Sequence, residues 1–439
     1  MSAATLPRIQ PDMHATESTA EPQLDLAWAE AADKRDPLAV LRGEFLVPKD
    51  AAGQPMVYFA GHSLGPQPRN VRTYVNETLD DWQEFAVEGH FMGRHPWLSY
   101  HELLTASTAR LVGALPSEVV VMNTLSVNLH LLMCSFYRPT PTRFRILVEA
   151  GAFPSDQYAV ASQAVFHGYD PDQAVVALAP RPGESCLREE ELLDSIGRLG
   201  PSTALVLLGT CNYLTGQGFP MRAVVEAGHA QGCRVGFDLA HGAGNLDCQL
   251  HATGADFAVW CNYKYLNAGP GGLGGAFVHE RHHQADLPRF AGWWGHDKAT
   301  RFQMGPRFHA IAGAEGWQLS NPPILQLAAL RASMELFDRA GIGALRAKGE
   351  QLSEYLLAWL DALPAGSMAL QTPRDSRKRG TMLTMRLERA GELVAHLRER
   401  GIAVDLRAPD IVRLTPAPLY CGHADVARAG LALAEFFAR

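Results

Sequence analysis

The stretch RVGFDLAHGAGNLDCQLHATGADFAVWCNYKYL, residues 234–266, decides the fold. It contains two short apolar runs, 234 to 239 and 257 to 260, each too short for a helix and neither alternating in polarity. Runs of this kind form strands buried on both faces, and such strands occur in sheets covered by helices on both sides. The first run carries Asp238 near its end, and the second is followed within a few residues by Lys264. A carboxylate at the C-terminal end of a parallel strand faces the crevice where open sheets bind ligands. One strand bearing an acid and its neighbour bearing a lysine can therefore serve one crevice.

The same texture extends outward. Towards the N-terminus, strand patterns at 204–209, 174–178, 145–149 and 118–122 alternate with helical spacing at 221–231, 188–199, 156–167 and 125–137. Towards the C-terminus, 274–278 adds one more strand. Alternation of this kind predicts an α/β protein with a mostly parallel central sheet and helices on both faces. Residues 70–110 read as helical, interrupted at 89–96 by Gly-His and His-Pro. Beyond 322 come two long amphipathic helices, 324–337 and 342–363, then strands at 381–387 and 411–415 and helices at 391–399 and 424–438. This predicts a smaller C-terminal α/β domain over 323–439, after a large domain over 70–322. Residues 25–69 are expected to pack on the small domain, and 1–24, polar and aperiodic, to form a flexible arm.

A chain of 439 residues needs more than one small core, and 47% hydrophobic residues can supply it. The net charge of -7 is spread along the sequence, with no basic tract to suggest nucleic acid. The seven cysteines show no paired spacing, the N-terminus has no secretory pattern, and no run reaches the roughly 18 apolar residues of a membrane span. A soluble cytoplasmic protein with reduced thiols is expected. Only six residues are lysine, and of these Lys264 alone sits among aromatic residues.

A lysine in such surroundings can act as a nucleophile toward aldehydes. In pyridoxal-phosphate enzymes the lysine forms a Schiff base with the cofactor, while an aspartate keeps the pyridine nitrogen protonated so that the ring can accept electrons. Asp238 and Lys264 suit these two tasks, although a turn-capping Asp and a simple ion pair would read the same way one at a time. Asn123-Thr124-Leu125-Ser126 lies where a strand turns into a helix, a place suited to phosphate and equally to an ordinary N-cap. Gly269-Pro270-Gly271-Gly272-Leu273-Gly274 matches a dinucleotide-binding pattern, but it leads into a strand instead of a helix, so it reads as a turn. His241, Cys248 and His251, like His282 and His283, lack zinc-site spacing and read as buried thiols and solvated histidines.

Asp238-Leu239-Ala240-His241 followed by Asn262-Tyr263-Lys264-Tyr265 resembles the kynureninase family, within the fold type I pyridoxal-phosphate enzymes. The resemblance runs from about Tyr58 to the C-terminus. It takes in Gly61-His62-Ser63-Leu64-Gly65, Phe153-Pro154-Ser155-Asp156, Gly292-Trp293-Trp294-Gly295-His296, Ser320-Asn321-Pro322-Pro323 and Arg413-Leu414-Thr415-Pro416. It implies a fold type I, transferase-like architecture and a homodimer with shared sites. It implies Lys264 as the Schiff-base lysine, Asp238 at the pyridine nitrogen with His241 beside it, and Tyr263 as a proton-handling group. Leu125 and Ser126 would meet the phosphate, and Phe153 would stack on the ring. Pro154, Ser155, Asp156, Gly209, Thr210, Trp293 and Asn321 would complete the cofactor site, Trp293 and Asn321 coming from a neighbouring subunit. Arg413 would clamp the substrate carboxylate, with Ser63, His90 and Asn321 around the aromatic ring. The implied reaction is hydrolysis of kynurenine or 3-hydroxykynurenine, in tryptophan breakdown and NAD synthesis. The polar pair His90 and Asn321 favours the hydroxylated substrate. His62 stands where many members carry Asn, and either Gly209 or Thr210 could face the cofactor. The rival readings are another fold type I enzyme, a cysteine desulfurase or an aminotransferase, and a non-catalytic binding protein of the same fold.

Overall fold

The computed structural model describes Ile9 and residues 22–439, so most of the expected N-terminal arm lies outside the described residues. Its centre is a seven-stranded sheet. In chain order the strands are β1 (Val119–Met122), β2 (Arg145–Glu149), β3 (Val175–Leu178), β4 (Thr203–Gly209), β5 (Arg234–Asp238), β6 (Phe257–Cys261) and β7 (Gly274–Val278). In space they run β1-β7-β6-β5-β4-β2-β3. β7 is antiparallel to both its neighbours, and the pairings among β2 to β6 are parallel. β1, β5 and β6 are buried along nearly their whole length, as their unbroken apolar sequences require.

The parallel strands point their C-terminal ends the same way, which brings Glu149, Gly209, Asp238 and Cys261 to one edge of the sheet. The Gly-rich turn before β7 has positive φ at Gly269 and Gly271, the left-handed conformation that glycine adopts without steric cost. The helical region after residue 70 is broken where the sequence suggests: Val71–Phe85 is α-helix, and after 3-10 turns the chain resumes as α-helix at Thr105–Val112.

A second, antiparallel sheet contains β8 (Ala369–Leu370), β9 (Leu383–Arg386), β10 (Asp405–Arg407) and β11 (Ile411–Leu414), in the order β8-β9-β11-β10. The short β8 and β10 give no run long enough to read from sequence. Val57–Tyr58 pairs in parallel with Ile402–Ala403, tying the early chain to this region. The helix Leu26–Arg35, capped by Asp25 accepting from the Trp28 amide at 2.7 Å, lies against the last helix, His423–Phe437.

His282 departs from the solvated state expected of it. It is buried, and its Nε2 lies 2.7 Å from Asp256 Oδ1, where a buried carboxylate needs donors. His251 is half-exposed, with Nδ1 3.0 Å from the buried Glu118.

Packing between β5 and β6 depends on the absence of a side chain at Gly236. Its register partner Phe257 lays its ring across that position and stacks on Phe136 at 4.9 Å. A Cβ at Gly236 would come within 2.2 Å of the ring. Gly236→Ala is therefore expected to destabilise the protein by about 1–3 kcal/mol, the usual cost of overpacking, seen as a lower urea midpoint at unchanged slope.

Candidate active site

The strand ends open onto a cleft of about 200 Å³ lined by Leu125, Ser126, Glu149, Phe153, Ser155, Asp156, Gly209, Cys211, Tyr213, Asp238, Ala240, His241, Tyr263 and Lys264. Asp238 is buried at the end of β5, and the Ala240 amide donates to its Oδ1 at 2.5 Å. Lys264 follows β6, with Nζ 5.6 Å from the Phe153 ring centre and 5.9 Å from that of Tyr263. It is the one lysine lining the cleft.

Two helix starts meet at the other end. Asn123 takes a left-handed conformation that turns β1 into the helix Leu125–Phe136, and its side-chain amide donates to Asn128 Oδ1 at 3.0 Å. Asn128 in turn donates to the Met122 carbonyl at 2.9 Å, fixing the turn. Thr124 caps the helix without a side-chain bond to its first-turn amides. The second helix, Pro154–Phe166, begins on a proline, which suits its first turn. Ser126 and Ser155, one from each first turn, share a hydrogen bond of 2.8 Å. Two hydroxyls at two helix N-termini make a ready anion site.

Carboxyl groups are concentrated at the sheet end of the cleft. Burial, reinforced by the charge of Asp238, holds the Asp156 carboxyl well above the usual range. Glu149, at the end of β2, accepts from the Gly209 amide at 2.8 Å and from Asn212 at 3.5 Å. Burial, with Asp238 adding to it, pushes its carboxyl up to about 7. Glu149 is not among the candidate residues from the sequence. The argument that singles out Asp238, a carboxylate ending a parallel strand, applies to it equally. Burial also pushes the Tyr263 hydroxyl up. It holds His241 neutral, with the Lys264 charge as a second cause, and His241 Nδ1 is buried without a partner.

These residues fit pyridoxal phosphate. Ser126, Ser155 and the first-turn amides suit the phosphate, and Lys264 suits the aldehyde. Asp238 suits a protonated ring nitrogen, and the unpartnered His241 Nδ1 offers a further polar contact. Phe153 is 43% exposed over the cleft, where a planar ring would cover it.

The remaining candidates lie elsewhere. Gly209 lines the cleft, whereas Thr210 is buried beneath it. The Thr210 amide and hydroxyl donate to the Asp238 carbonyl at 2.9 and 3.4 Å, because the chain reverses face at each residue of a strand end. Pro154 is exposed and shapes the helix start instead of lining the cleft. Trp293 donates from Nε1 to the Arg301 carbonyl at 3.2 Å and lines a separate hollow with His296, Arg301 and Met304. Asn321 is exposed. His90 is half-buried against Trp97, with Nδ1 2.9 Å from the Val87 carbonyl. A single chain does not bring Trp293, Asn321 or His90 into the cleft. Ser63 and Arg413 adjoin it, since Arg413 Nη1 donates to the carbonyl of the lining residue Tyr213 at 2.6 Å. Ser63 accepts from Arg413 Nη2 at 3.2 Å and donates to Asp405 at 2.8 Å.

A larger surface hollow of about 590 Å³ lies beside the helix Glu189–Leu199. Its charges pair among themselves, Arg188 with Glu184, Arg377 with Asp375 and Lys378 with Glu189. It lacks the convergent unpaired groups of the Lys264 cleft.

Fold and cleft together define a fold type I pyridoxal-phosphate enzyme. Solved structures agree on the fold: a cysteine desulfurase from Escherichia coli superimposes with a TM-score of 0.72 over 91% of this chain and 98% of its own, at 18% identity. One from Thermococcus onnurineus does so with a TM-score of 0.70 over 93% and 98%, at 17% identity. The kynureninase C-terminal domain model matches residues 345–433. The kynureninase of Myxococcus xanthus is 62% identical over 92% of this chain and 95% of its own length. That of Koribacter versatilis is 56% identical over 90% and 94%. The chain belongs to the kynureninase family, hydrolases acting on carbon–carbon bonds.

The Glu149 proton has a measurable consequence. The native state keeps it to about pH 7, whereas an unperturbed carboxyl releases it near 4.5. The unfolded chain therefore binds fewer protons in that window, and the cofactor-free protein loses stability as pH rises through it. Glu149→Gln removes this contribution. Its stability relative to wild type, from urea unfolding at stepped pH, is expected to rise between about pH 4.5 and about pH 7 and then level off.

Proposed function

We propose that this chain is a kynureninase that hydrolyses the Cβ–Cγ bond of L-kynurenine or 3-hydroxy-L-kynurenine, releasing L-alanine and anthranilate or 3-hydroxyanthranilate. The observation that carries this reading is the placing of Lys264 and Asp238 in one cleft, in a chain 62% identical to a kynureninase. Bound pyridoxal phosphate supplies an electron sink for the charge left on the substrate when bonds at its α and β carbons are broken.

The chain's own residues hold, orient and move protons around that sink. Lys264 would hold the cofactor aldehyde, and its amine would be the base beside the substrate's α carbon. Asp238 would hold a proton at the ring nitrogen, with the Asp156 and Glu149 carboxyls, both held above their usual range by burial, behind it. Tyr263 keeps its hydroxyl proton, because burial pushes its pKa up, and is the group we assign to protonating the leaving carbon. Arg413 grips the substrate carboxylate with a planar fork suited to two oxygens.

A desulfurase needs a reactive thiolate. Cys211 lines the cleft but burial pushes its thiol up to about 12, and burial raises Cys261 as well. All seven cysteines are free, which suits the cytoplasm. Among the described residues no helix is long and apolar enough to cross a membrane.

We assign a homodimer with shared sites. Phe91 and Phe302, both more than half exposed, lie 6.1 Å apart, and Phe302 meets Trp293 at 5.4 Å. Val87, Met92 and Met304 extend this exposed apolar surface, which carries His90 and Trp293. Surfaces of this kind mark association sites, and a second copy seated here supports the roles given to His90, Trp293 and Asn321. Phe302→Asp is expected to yield monomers in analytical ultracentrifugation and to lower kcat/KM at least tenfold; a fully active monomer would refute shared sites.

The decisive experiment on the reaction uses purified protein with pyridoxal phosphate. Wild type is expected to show a Schiff-base absorption band and to release alanine and an aryl amine, faster from 3-hydroxykynurenine if His90 and Asn321 reach the ring. Lys264→Ala is expected to lose the band and all turnover. A band without cleavage of either substrate would keep the class and discard the reaction.

A further inference from the structure

The carboxylate clamp is already engaged within the protein. Arg413 is 1% exposed, and its Nε and Nη2 both donate to Asp405 Oδ1, at 2.9 and 2.7 Å. Its Nη1 is held by the Tyr213 carbonyl. A guanidinium grips a carboxylate through two neighbouring N–H groups, and each such pair includes Nη2. Nη1 being so held, a substrate carboxylate binds side-on, through Nε and Nη2, and must therefore draw both away from Asp405.

Asp405 would then be under-satisfied. Its side chain is mostly buried, keeping the Ser63 hydroxyl at 2.8 Å and Arg407 Nη2 at 3.4 Å on Oδ2, while Arg407 Nε, 3.1 Å from Oδ1, makes no hydrogen bond. One further group faces that oxygen. His62 is completely buried, and its Nε2 has no partner and lies 4.0 Å from Asp405 Oδ1. The other ring nitrogen, Nδ1, is 2.8 Å from Thr415 Oγ1. With the threonine hydroxyl donating to Nδ1, the His62 proton sits on Nε2 and points at Asp405. The approach that makes a hydrogen bond is about 1 Å. Burial, followed by the charges of Arg413 and Arg407, keeps the imidazole neutral, so it carries one N–H and adds no charge to the two guanidiniums. The loop carrying His62 is held firmly: a Cβ at Gly61 would collide with the Tyr420 hydroxyl, and the Gly65 amide donates to the Tyr263 carbonyl at 3.0 Å.

We propose that His62 is a substrate-positioning residue, the donor that takes over Asp405 Oδ1 when Arg413 turns its fork to the carboxylate of an amino-acid substrate. The proposal rests on the reading of Arg413 as the clamp. It assigns His62 to the recognition of the α-carboxylate and gives it no part in the bond-breaking chemistry.

Two amide variants separate this role from a structural one. In His62→Asn the amide reaches only as far as Nδ1, so it keeps the Thr415 contact and lacks the distal donor. In His62→Gln the amide reaches the Nε2 position. On the holoenzyme, His62→Asn is expected to raise KM for L-kynurenine about tenfold, the worth of one hydrogen bond to a charged group, with kcat changed less than about twofold. His62→Gln is expected to recover most of that loss. The dissociation constant of L-alanine, read from the visible absorption of the bound cofactor, should move in parallel with KM. Binding of the substrate analogue lacking the α-carboxyl group should be the same in all three proteins. An equal loss for that analogue, or a His62→Asn variant with unchanged KM and alanine affinity, would overturn the proposal. Arg413→Ala serves as the control. If it shows no carboxylate-dependent loss, the clamp reading itself fails, and that result is distinct from a failure of His62 alone.

Discussion

Three carboxylates, Glu149, Asp156 and Asp238, converge on a cleft that contains one lysine, and the rest of the site is arranged around the cost of that crowding. Burial, with the charge of Asp238 as a further cause, raises the carboxyl pKa of both Glu149 and Asp156. The cost is offset where a cation can sit among them. A protonated pyridine ring is such a cation, and Lys264 at the other side of the cleft is the group that can tether it. In the function proposed above, Asp238 is the carboxylate that would keep that ring nitrogen protonated.

Bare backbone positions make this convergence possible. Gly209 lies between Glu149 and Asp238 in register, donating its amide to the first and pairing with the second. A Cβ there would come 3.0 Å from Glu149 Oε1. Below it, Thr210 fastens the Asp238 carbonyl, and a Cβ at Gly242 would strike the Thr210 hydroxyl. Small residues thus let polar groups approach closely enough to pair, as the Gly209 amide does with Glu149. Beside the cleft the same rule produces the Ser63, Asp405, Arg407 and Arg413 cluster, in which one carboxylate faces two guanidiniums. The cluster keeps a net positive charge suited to one substrate carboxylate.

The exposed apolar surface around Phe91 and Phe302 has a different origin. It is an exposed apolar surface that carries His90 and Trp293, two of the candidates that the cleft lacks. The separation of Trp293, Asn321 and His90 from Lys264 within one chain fits the proposed sharing of sites between two copies.

The sequence by itself determined the central sheet and its two decisive residues. Short apolar strands alternating with helical patterns have few ways to be buried, and a lone lysine among aromatics beside a strand-ending aspartate has few chemical uses. Only the tertiary structure decided three things. Glu149 matters because β2, β4 and β5 lie side by side, a neighbourhood that no local pattern encodes. Gly209 faces the cleft and Thr210 does not, because a strand's side chains alternate and the register is set by pairing with β5. His62 meets Asp405 and Thr415 across more than 340 residues of sequence, and Asp405 itself lies on a three-residue strand too short to announce itself. Local sequence specifies which elements form. Which side chains share a buried volume is fixed only when those elements pack.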